Sequence, residues 1–327
     1  MPCPVHTGNP EKSAVADELD LLLTTARKWL GAGHRVAIAT VMQTWGSAPR
    51  RRGSHAIIRD DGLFEGSVSG GCVEGDVILS AQELLKKGGG IARRDYGVQD
   101  DTAWQVGLAC GGEIAVLIQS IDDNHFPPAL LDQIADFRGT GRALVVATDL
   151  TNGSSAVAAP RAAEGRFENR YEPPLRMMIV GAVHISQQLA PLAKLVGYQT
   201  LIVDPRESFA AADRFMGMPV DTRWSDEALA DWKPDRSSAI ITLTHDPKID
   251  DPALMFALRS DAFYIGALGS RRTHAKRLER LSAQGFSPEE LARIDGPAGL
   301  SIGAVNPAEI ALSILAGATA ALRLSRE

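Results

Sequence analysis

The stretch RMMIVGAVHISQQLAPLAKLVGYQTLIVD, residues 176–204, decides the fold that we predict for the second half of the chain. An apolar run ends in glycine, a helical pattern of apolar residues follows, and a second apolar run ends in aspartate. Strand, helix and strand within about 30 residues are typical of a βαβ unit, whose two strands are parallel. Pro191 lies inside the predicted helix, where a proline costs about 3 kcal/mol and predicts a kink.

Two further apolar runs continue the alternation of strand and helix. They are SAIITLT at residues 238–244 and AFYIGAL at residues 262–268, and helical material follows each. This order predicts an α/β fold with a Rossmann-like, doubly wound parallel sheet, in which ligands bind beyond the carboxyl ends of the strands. Thr244, His245 and Asp246 end one of these runs and are therefore candidate ligand contacts.

The first half of the chain mixes helical and strand patterns without this regular alternation. Its apolar periodicity predicts helices over residues 14–30 and 129–137 and strands over residues 36–42, 55–59, 113–121 and 142–150. Two less regular segments, residues 154–160 and 166–174, are interpreted as an edge hairpin or a linker. Pro173 and Pro174 mark the boundary, so we predict a mixed α/β domain over residues 1–172 and the Rossmann-like domain over residues 173–327.

The turn after the first strand of the βαβ unit is where dinucleotide-binding proteins carry G-x-G-x-x-G. Residues 181–186 read GAVHIS, so only the first glycine, Gly181, is present. Val183 places a branched side chain where a second glycine would let the backbone approach a pyrophosphate. Asp204 stands where a carboxylate bonds a ribose, and His184 is either a ligand contact or a surface cap. The pattern supports the fold more strongly than an NAD(P) cofactor; a layer used only for packing or dimerisation is the alternative.

A glycine-rich stretch in the first half, GLFEGSVSGGCVEG at residues 62–75, precedes the predicted helix DVILSAQELLKK. Free backbone N–H groups at a helix start, together with the helix dipole, favour an anion there. The alternative is a tight connection whose glycines only satisfy backbone geometry. The candidate anion contacts are residues of the stretch and one nearby arginine: Gly66, Ser67, Ser69, Gly70, Gly71 and Arg50.

A further predicted helix begins directly after residues 262–268. Gly269, Ser270 and Arg271 open it and form a second candidate anion site. A plain capped helix start is the alternative.

Composition and charge are those of an ordinary globular protein. The chain has 327 residues, of which 45% are hydrophobic and 23% charged, and its formal net charge is -6. This acidic balance gives no electrostatic support to nucleic-acid binding. Because the sequence contains neither a signal-peptide core nor an uninterrupted apolar run of about 18 residues, we expect a cytoplasmic protein without a membrane span.

The three cysteines, Cys3, Cys72 and Cys110, argue against a disulfide framework and a zinc knuckle, because their number is odd and no CxxC pair occurs. The histidines are scattered without the spacing of metal ligands, so a dedicated all-protein metal site is not expected. Cys72 directly follows the glycines, and a thiolate there would be a soft metal ligand or a sulfur acceptor. For each cysteine the alternative is a small, buried apolar residue.

Several of these motifs together resemble the XdhC/CoxI family of xanthine dehydrogenase accessory proteins. The segments that resemble its N-terminal domain are GSAPRRRG (46–53), GSVSGGCVEGDV (66–77) and GLACGGEI (107–114). Those that resemble its Rossmann-like domain are VDPRESFA (203–210), LTHDPKIDDPAL (243–254), YIGALGSRR (264–272) and GLSIGAVNPAEIALSILA (299–316). Many relatives read GxGHxG where this chain reads GAVHIS, which puts a nucleotide role of the second domain in question.

The resemblance implies a chaperone that binds molybdenum cofactor, assists its sulfuration and inserts it into a molybdenum hydroxylase of the xanthine dehydrogenase or carbon monoxide dehydrogenase type. A cysteine desulfurase is a further implied partner, and Cys72 and Cys110 are implied to ligate molybdenum or to transfer sulfur. Two alternatives are an NAD(P)-dependent oxidoreductase and a scaffold that docks a client without holding cofactor. The C-terminal segment PAEIALSILAGATAALRL (307–324) fits core packing or a dimer contact, and we expect a homodimer.

Overall fold

The structure is a computed structural model that describes residues 17–46, 50–97, 112–158, 165–215 and 217–324. Two compact units divide between Pro173 and Pro174. The described helices of the first unit are α1 (Glu18–Gly31), α2 (Glu74–Lys86) and α3 (Pro128–Gly139). One antiparallel sheet consists of β1 (Val36–Trp45), β2 (His55–Arg59), β3 (Phe64–Gly66), β4 (Ile91–Tyr96) and β5 (Glu113–Ser120), in the order β3-β2-β1-β5-β4. A second consists of β6 (Leu144–Asp149), β7 (Ser155–Val157) and β8 (Arg166–Tyr171), in the order β7-β6-β8.

Strand β1 shows why both faces of the larger sheet are covered. Val36 and Ile38 belong to a core shared with α1 and α3, whereas Ala37, Ala39 and Val41 belong to a core shared with α2. Successive side chains of a strand point to opposite faces, so a strand buried on both sides reads as a continuous apolar run. The loop that joins β3 to α2 is thus mounted on a sheet with a core on each face.

The first unit differs from the sequence interpretation in three places. Strand β1 extends to Trp45, with a register shift between Val41 and Gln43. The segments interpreted as a hairpin or linker form β7 and β8, which pair with β6 on either side rather than with each other. Strand β4 was not predicted because it contains three consecutive charged residues. The strand lies at the edge of the sheet, where these side chains remain largely in water.

The second unit alternates strands and helices. Its described elements are β9 (Leu175–Val180), α4 (His184–Leu195), β10 (Tyr198–Val203), a short 3₁₀ helix (Ala212–Arg214), β11 (Val220–Asp221), α5 (Ser225–Trp232), β12 (Ser238–Thr242), α6 (Pro247–Leu258), β13 (Tyr264–Ala267), α7 (Arg271–Ala283), α8 (Pro288–Leu291), β14 (Ile294–Asp295) and α9 (Pro307–Leu324). Helix α4 continues through Pro191, and its buried side, which includes Leu189, Ala190 and Ala193, packs on the sheet.

All strand pairs of this sheet are parallel, and the order is β11-β10-β9-β12-β13-β14. The chain enters at β9, builds outward to β11, and then returns to the other side of β9 with β12. This is the order of a doubly wound Rossmann fold, with its switch point between β9 and β12. The predicted fold class, a mixed α/β domain followed by a Rossmann-like domain, is therefore confirmed.

Helix α9 is the one described helix whose length and composition would suffice to cross a membrane, with a mean hydropathy of 1.3. Core helices meet the same test, and α9 packs as one: Ala311, Ile314 and Ala318 share a buried cluster with residues of α4. A Cβ on Gly317 would lie 2.8 Å from Cα of Gly299, so this glycine permits a close approach inside the unit. Small residues of α9 therefore serve internal packing, and the homodimer stays a prediction.

Candidate functional site

Residues 66–73, which we name the glycine loop, fold around the carboxylate of Glu74, the first residue of α2. Backbone N–H groups of Val68, Ser69 and Gly71 donate to this carboxylate at 3.1, 2.8 and 2.8 Å. The hydroxyl of Ser67 donates at 2.7 Å, and the hydroxyl of Ser69 donates as well. The loop is thus an anion-binding concavity whose anion belongs to the chain itself.

Glu74 is ionised at neutral pH in this arrangement. Burial opposes its ionisation, but hydrogen bonds from the hydroxyls of Ser69 and Ser67 and from the Ser69 N–H outweigh burial and lower the pKa to about 2. The predicted phosphate contact with these N–H groups stays a prediction, and a phosphate would have to displace Glu74 to make it. From the sequence alone, Glu74 is only a helix-dipole partner; the signal that could have identified its second role is a carboxylate that follows serines and glycines within reach of their N–H groups.

Two further contacts hold the glycine loop on the sheet. Ser67 N–H donates to the carbonyl of His55 at 3.0 Å. Gly66 has φ +85°, and a Cβ there would lie 2.5 Å from the same carbonyl oxygen. A glycine is required here both for the left-handed backbone and for the close approach to β2.

Arg50 lies beside the glycine loop, and its predicted contact with a phosphate stays a prediction. Its Nε donates to the carbonyl of Ser67 at 3.0 Å, and its terminal nitrogen forms an ion pair with Glu18 of α1. The guanidinium is about one-quarter exposed. It therefore adds a partly accessible positive charge next to the loop.

Cys72 is partly exposed and immediately precedes Val73, the N-terminal cap residue of α2. Part of its side chain contacts the core on the α2 face of the sheet. Cys110, the second predicted thiol ligand, lies outside the described residues. Within the described residues no three His, Cys, Asp or Glu side chains are grouped so that they could hold a metal ion.

A buried histidine below the glycine loop was missed by the sequence interpretation. His55 is 4% exposed. Its ring contacts Thr40 Oγ1 at 2.9 Å and Asn169 Nδ2 at 3.2 Å and stacks on Tyr171 at 5.5 Å between ring centroids. Burial lowers its pKa to about 4, so the ring is neutral at pH 7. Only its position in the apolar strand HAIIR hinted at burial, and nothing in the sequence indicated its partners.

At the carboxyl ends of β9 and β10, polar groups of the Rossmann unit form hydrogen bonds with one another. Asp204 is 0% exposed and accepts from the N–H of Ala182 at 2.8 Å and from Arg206 at 2.7 Å. Burial opposes its ionisation, but the hydrogen bonds from Arg206 lower the pKa. A ribose hydroxyl would have to displace one of these donors. His184 is exposed at the start of α4, and Gly181, at φ +114°, would place a Cβ 2.7 Å from Thr244.

The ends of β12 and β13 carry the remaining predicted residues. Ser270 caps α7 by accepting from the N–H of Thr273 at 3.1 Å, while Arg271 is exposed and Gly269 has φ +145°. His245 has φ +62°, a conformation that is uncommon outside glycine, and its N–H donates to the buried Asp250 at 3.1 Å. Asp246 caps α6. The structure thus groups Arg50, Ser67 and Cys72 at one loop, and it places Gly181 next to Thr244 at the switch point of the other unit.

Comparison with known proteins agrees with both halves of this description. The chain matches the model of the XdhC and CoxI family over residues 29–97 and that of the XdhC Rossmann domain over residues 177–317. It is 30% identical to PaoD, a molybdenum cofactor insertion chaperone of Escherichia coli, over 98% of this chain and 94% of that protein. It is 26% identical to a probable xanthine dehydrogenase subunit of Bacillus subtilis, over 86% of this chain and 92% of that protein.

A solved structure from Bacillus halodurans, described as a xanthine dehydrogenase, superimposes with a TM-score of 0.76 at 25% identity and covers 95% of this chain and 97% of its own. The match at 30% identity spans nearly the full length of both proteins, and the two family models fall on the two units of the fold. The chain therefore belongs to the XdhC and CoxI family.

Proposed function

We propose that this chain is a cytoplasmic chaperone that binds molybdenum cofactor and inserts it into a molybdenum hydroxylase of the xanthine dehydrogenase or carbon monoxide dehydrogenase type. The observation that carries the proposal is the near full-length similarity to PaoD, a molybdenum cofactor insertion chaperone. It is supported by the partly exposed Cys72 on the glycine loop, within the region matched by the family model.

At the glycine loop, two side chains suit contacts with molybdenum cofactor better than the loop backbone does. A cysteine thiolate is a soft ligand that suits molybdenum, and Cys72 is partly exposed. Arg50 contacts Ser67 of the same loop and pairs with Glu18, and its guanidinium, about one-quarter exposed, offers a positive charge for the cofactor's phosphate. The N–H groups of the loop are engaged by Glu74. We therefore assign the cargo contacts to the thiol and the guanidinium rather than to the loop backbone.

The same thiol suits the sulfuration step that we propose for this chaperone. A cysteine desulfurase would transfer the outer sulfur of its persulfide to the thiolate of Cys72 or Cys110, which becomes a persulfide while the desulfurase regains its thiol. Release of this sulfur to the cofactor as sulfide would take two electrons from an external thiol reductant. Cys72 is partly exposed next to the start of α2, which suits a sulfur transfer from a partner protein.

The test is to purify the protein from cells supplied with molybdate and to measure bound molybdenum by mass spectrometry and pterin by fluorescence after oxidation. We expect both in near-equal amounts in the wild type, and loss of most of both in Cys72→Ala. Cys3→Ala is the matched control and should retain them. A wild-type preparation without molybdenum or pterin, from a host that makes active molybdenum enzymes, would refute the proposal.

The strand order of the second unit favours one other candidate function, an NAD(P)-dependent oxidoreductase, because this order binds dinucleotides at its switch point. Val183 in the fingerprint and the engaged carboxylate of Asp204 weigh against it. Calorimetric titration with NADH and NADPH separates the two functions. Saturable binding that Asp204→Ala abolishes would favour the oxidoreductase.

A further inference from the structure

The guanidinium of Arg277, in α7, lies buried directly behind the start of its own helix. The residue is 2% exposed, and its Nη2 donates to the carbonyl of Leu268 at 2.8 Å. The same nitrogen is 3.8 Å from the position that a Cβ on Gly269 would take. Its Nε and Nη1 have no hydrogen-bond partner among the described residues. The guanidinium whose Nη2 reaches the start of α7 therefore keeps two donors without an acceptor, which is costly for a buried charge.

The first turn of α7 carries positive charge where a helix disfavours it. Arg271 and Arg272 are both exposed, and the turn contains no acidic residue. Across the described part of the chain, neither has a carboxylate within ion-pair distance. Cations at a helix N-terminus oppose the dipole, whereas an anion there is stabilised. The N–H groups of these two residues also have no acceptor within the helix, since they belong to its first turn.

The acidic residues nearest to Arg277 do not use its free nitrogens. Asp250 contributes attraction at a distance, but its oxygens accept from the Thr244 hydroxyl at 2.6 Å and from the N–H of His245 at 3.1 Å. Burial raises the pKa of Asp250. Asp251 is paired with Arg280 at 2.7 Å. No carboxylate among the described residues therefore accepts a hydrogen bond from Nε or Nη1.

We propose that the start of α7 binds the phosphate group of a small molecule through Arg277, Arg271, Arg272 and the free N–H groups of the first turn. A tetrahedral dianion suits this arrangement because it offers several acceptor oxygens to donors that converge from different directions. The site lies at the end of β13, on the edge of the parallel sheet where Rossmann folds bind ligands, but away from the fingerprint turn at Gly181. It goes beyond the proposed chaperone function, since it belongs to the other unit and needs neither Cys72 nor molybdenum.

The test is calorimetric titration of the full chain with inorganic pyrophosphate, ADP and adenosine in magnesium-free buffer at low salt. We expect pyrophosphate and ADP to bind and adenosine not to. The exposed double variant Arg271→Gln/Arg272→Gln should bind pyrophosphate at least about tenfold more weakly, because two charge-assisted contacts are lost. Lys276→Gln, which removes one charge from the same helix beyond its first turn, is the matched control and should stay within about twofold.

Arg277→Lys separates geometry from charge at the buried position, and its fold is checked by circular dichroism. A lysine keeps the charge but loses the planar fork, so pyrophosphate affinity should fall while the fold persists. Tighter binding of ADP than of pyrophosphate would support the site and identify a nucleotide as the source of the phosphate. Equal affinity for ADP and pyrophosphate would also support the site. It would show that the phosphate group alone determines binding, which agrees with a pterin phosphate as its source. Adenosine binding as tight as ADP, or equal affinity of the wild type and the double variant, would overturn the proposal.

Discussion

Two helix starts in this protein share a sequence signature and have opposite electrostatics. The glycine loop places its glycines and serines within eight residues before α2, and Gly269 and Ser270 directly precede α7. The first residue of α2 is Glu74, whose carboxylate takes up the free N–H groups of its loop. The first residue of α7 is Arg271, and the buried Arg277 of the same helix has two donors without an acceptor among the described residues. Glycines before a helix thus indicate an anion site, but the neighbouring side chains decide whether the chain fills it.

The largest effect is expected from Glu74→Ala, which makes the first helix start resemble the second. Loss of the carboxylate leaves several donors of the glycine loop without an acceptor, and we expect the free energy of unfolding to fall by about 4 kcal/mol. Urea denaturation measures it. The same variant should gain pyrophosphate binding at the glycine loop. Glu83→Gln, an exposed acid of the same helix, is the control and should change neither quantity.

The buried residue next to each helix start also differs: it is His55 at the glycine loop and Arg277 at α7. The pH dependence of stability tests the role of His55. His55 has a pKa of about 4 in the folded protein, below its ordinary value near 6.5. Between these values the unfolded chain binds more protons, so the free energy of unfolding should fall as pH drops from about 6.5 to about 4, by about 3 kcal/mol from this residue. We expect His55→Gln to remove that part of the pH dependence in urea denaturation series. His184→Gln, at an exposed position, should leave it intact; an unchanged slope in His55→Gln would show that the ring is not the titrating group.

The smallest effect is expected from Arg272→Glu, which makes the second helix start resemble the first. An acid in the first turn of α7 complements the helix dipole, so the unfolding free energy without phosphate should rise by about 0.5 kcal/mol. Pyrophosphate binding should disappear in the same variant. The gain in stability should vanish in about 1 M salt, which screens exposed charges. A loss of stability at low salt would show that the arginines are not opposed to the dipole.

Much of the fold was readable from local patterns. The apolar runs and the helix of residues 176–204 correspond to β9, α4 and β10, and the later runs correspond to β12 and β13. Strands β11 and β14 have only two residues each, too short for a periodic signal. Strand β4 is an edge strand whose charged residues mask the pattern. These strands form because neighbouring strands pair with them and not because their own sequence has a strand pattern.

The candidate site, like the fold, could be predicted from the sequence only in part. Glycine content and residue order identified the glycine loop and its neighbour Cys72, and the tertiary structure brought Arg50 to it. The network around His55 joins the adjacent strands β1 and β2 to β8, whose Asn169 lies 114 residues further along the chain. No local pattern encodes such contacts, because each partner is chosen by the way the sheets pack.

The sequence by itself determined the family, the two-domain α/β fold and the positions of the two helix starts. These features depend on periodicity and on the order of residue types along the chain. Only the tertiary structure decided which helix start supplies its own anion and which one leaves its donors open. The physical reason is that hydrogen-bond satisfaction depends on distances of about 3 Å between folded groups. Glu74 reaches the N–H groups of its own loop, whereas Arg277 is buried where no described carboxylate completes its hydrogen bonds.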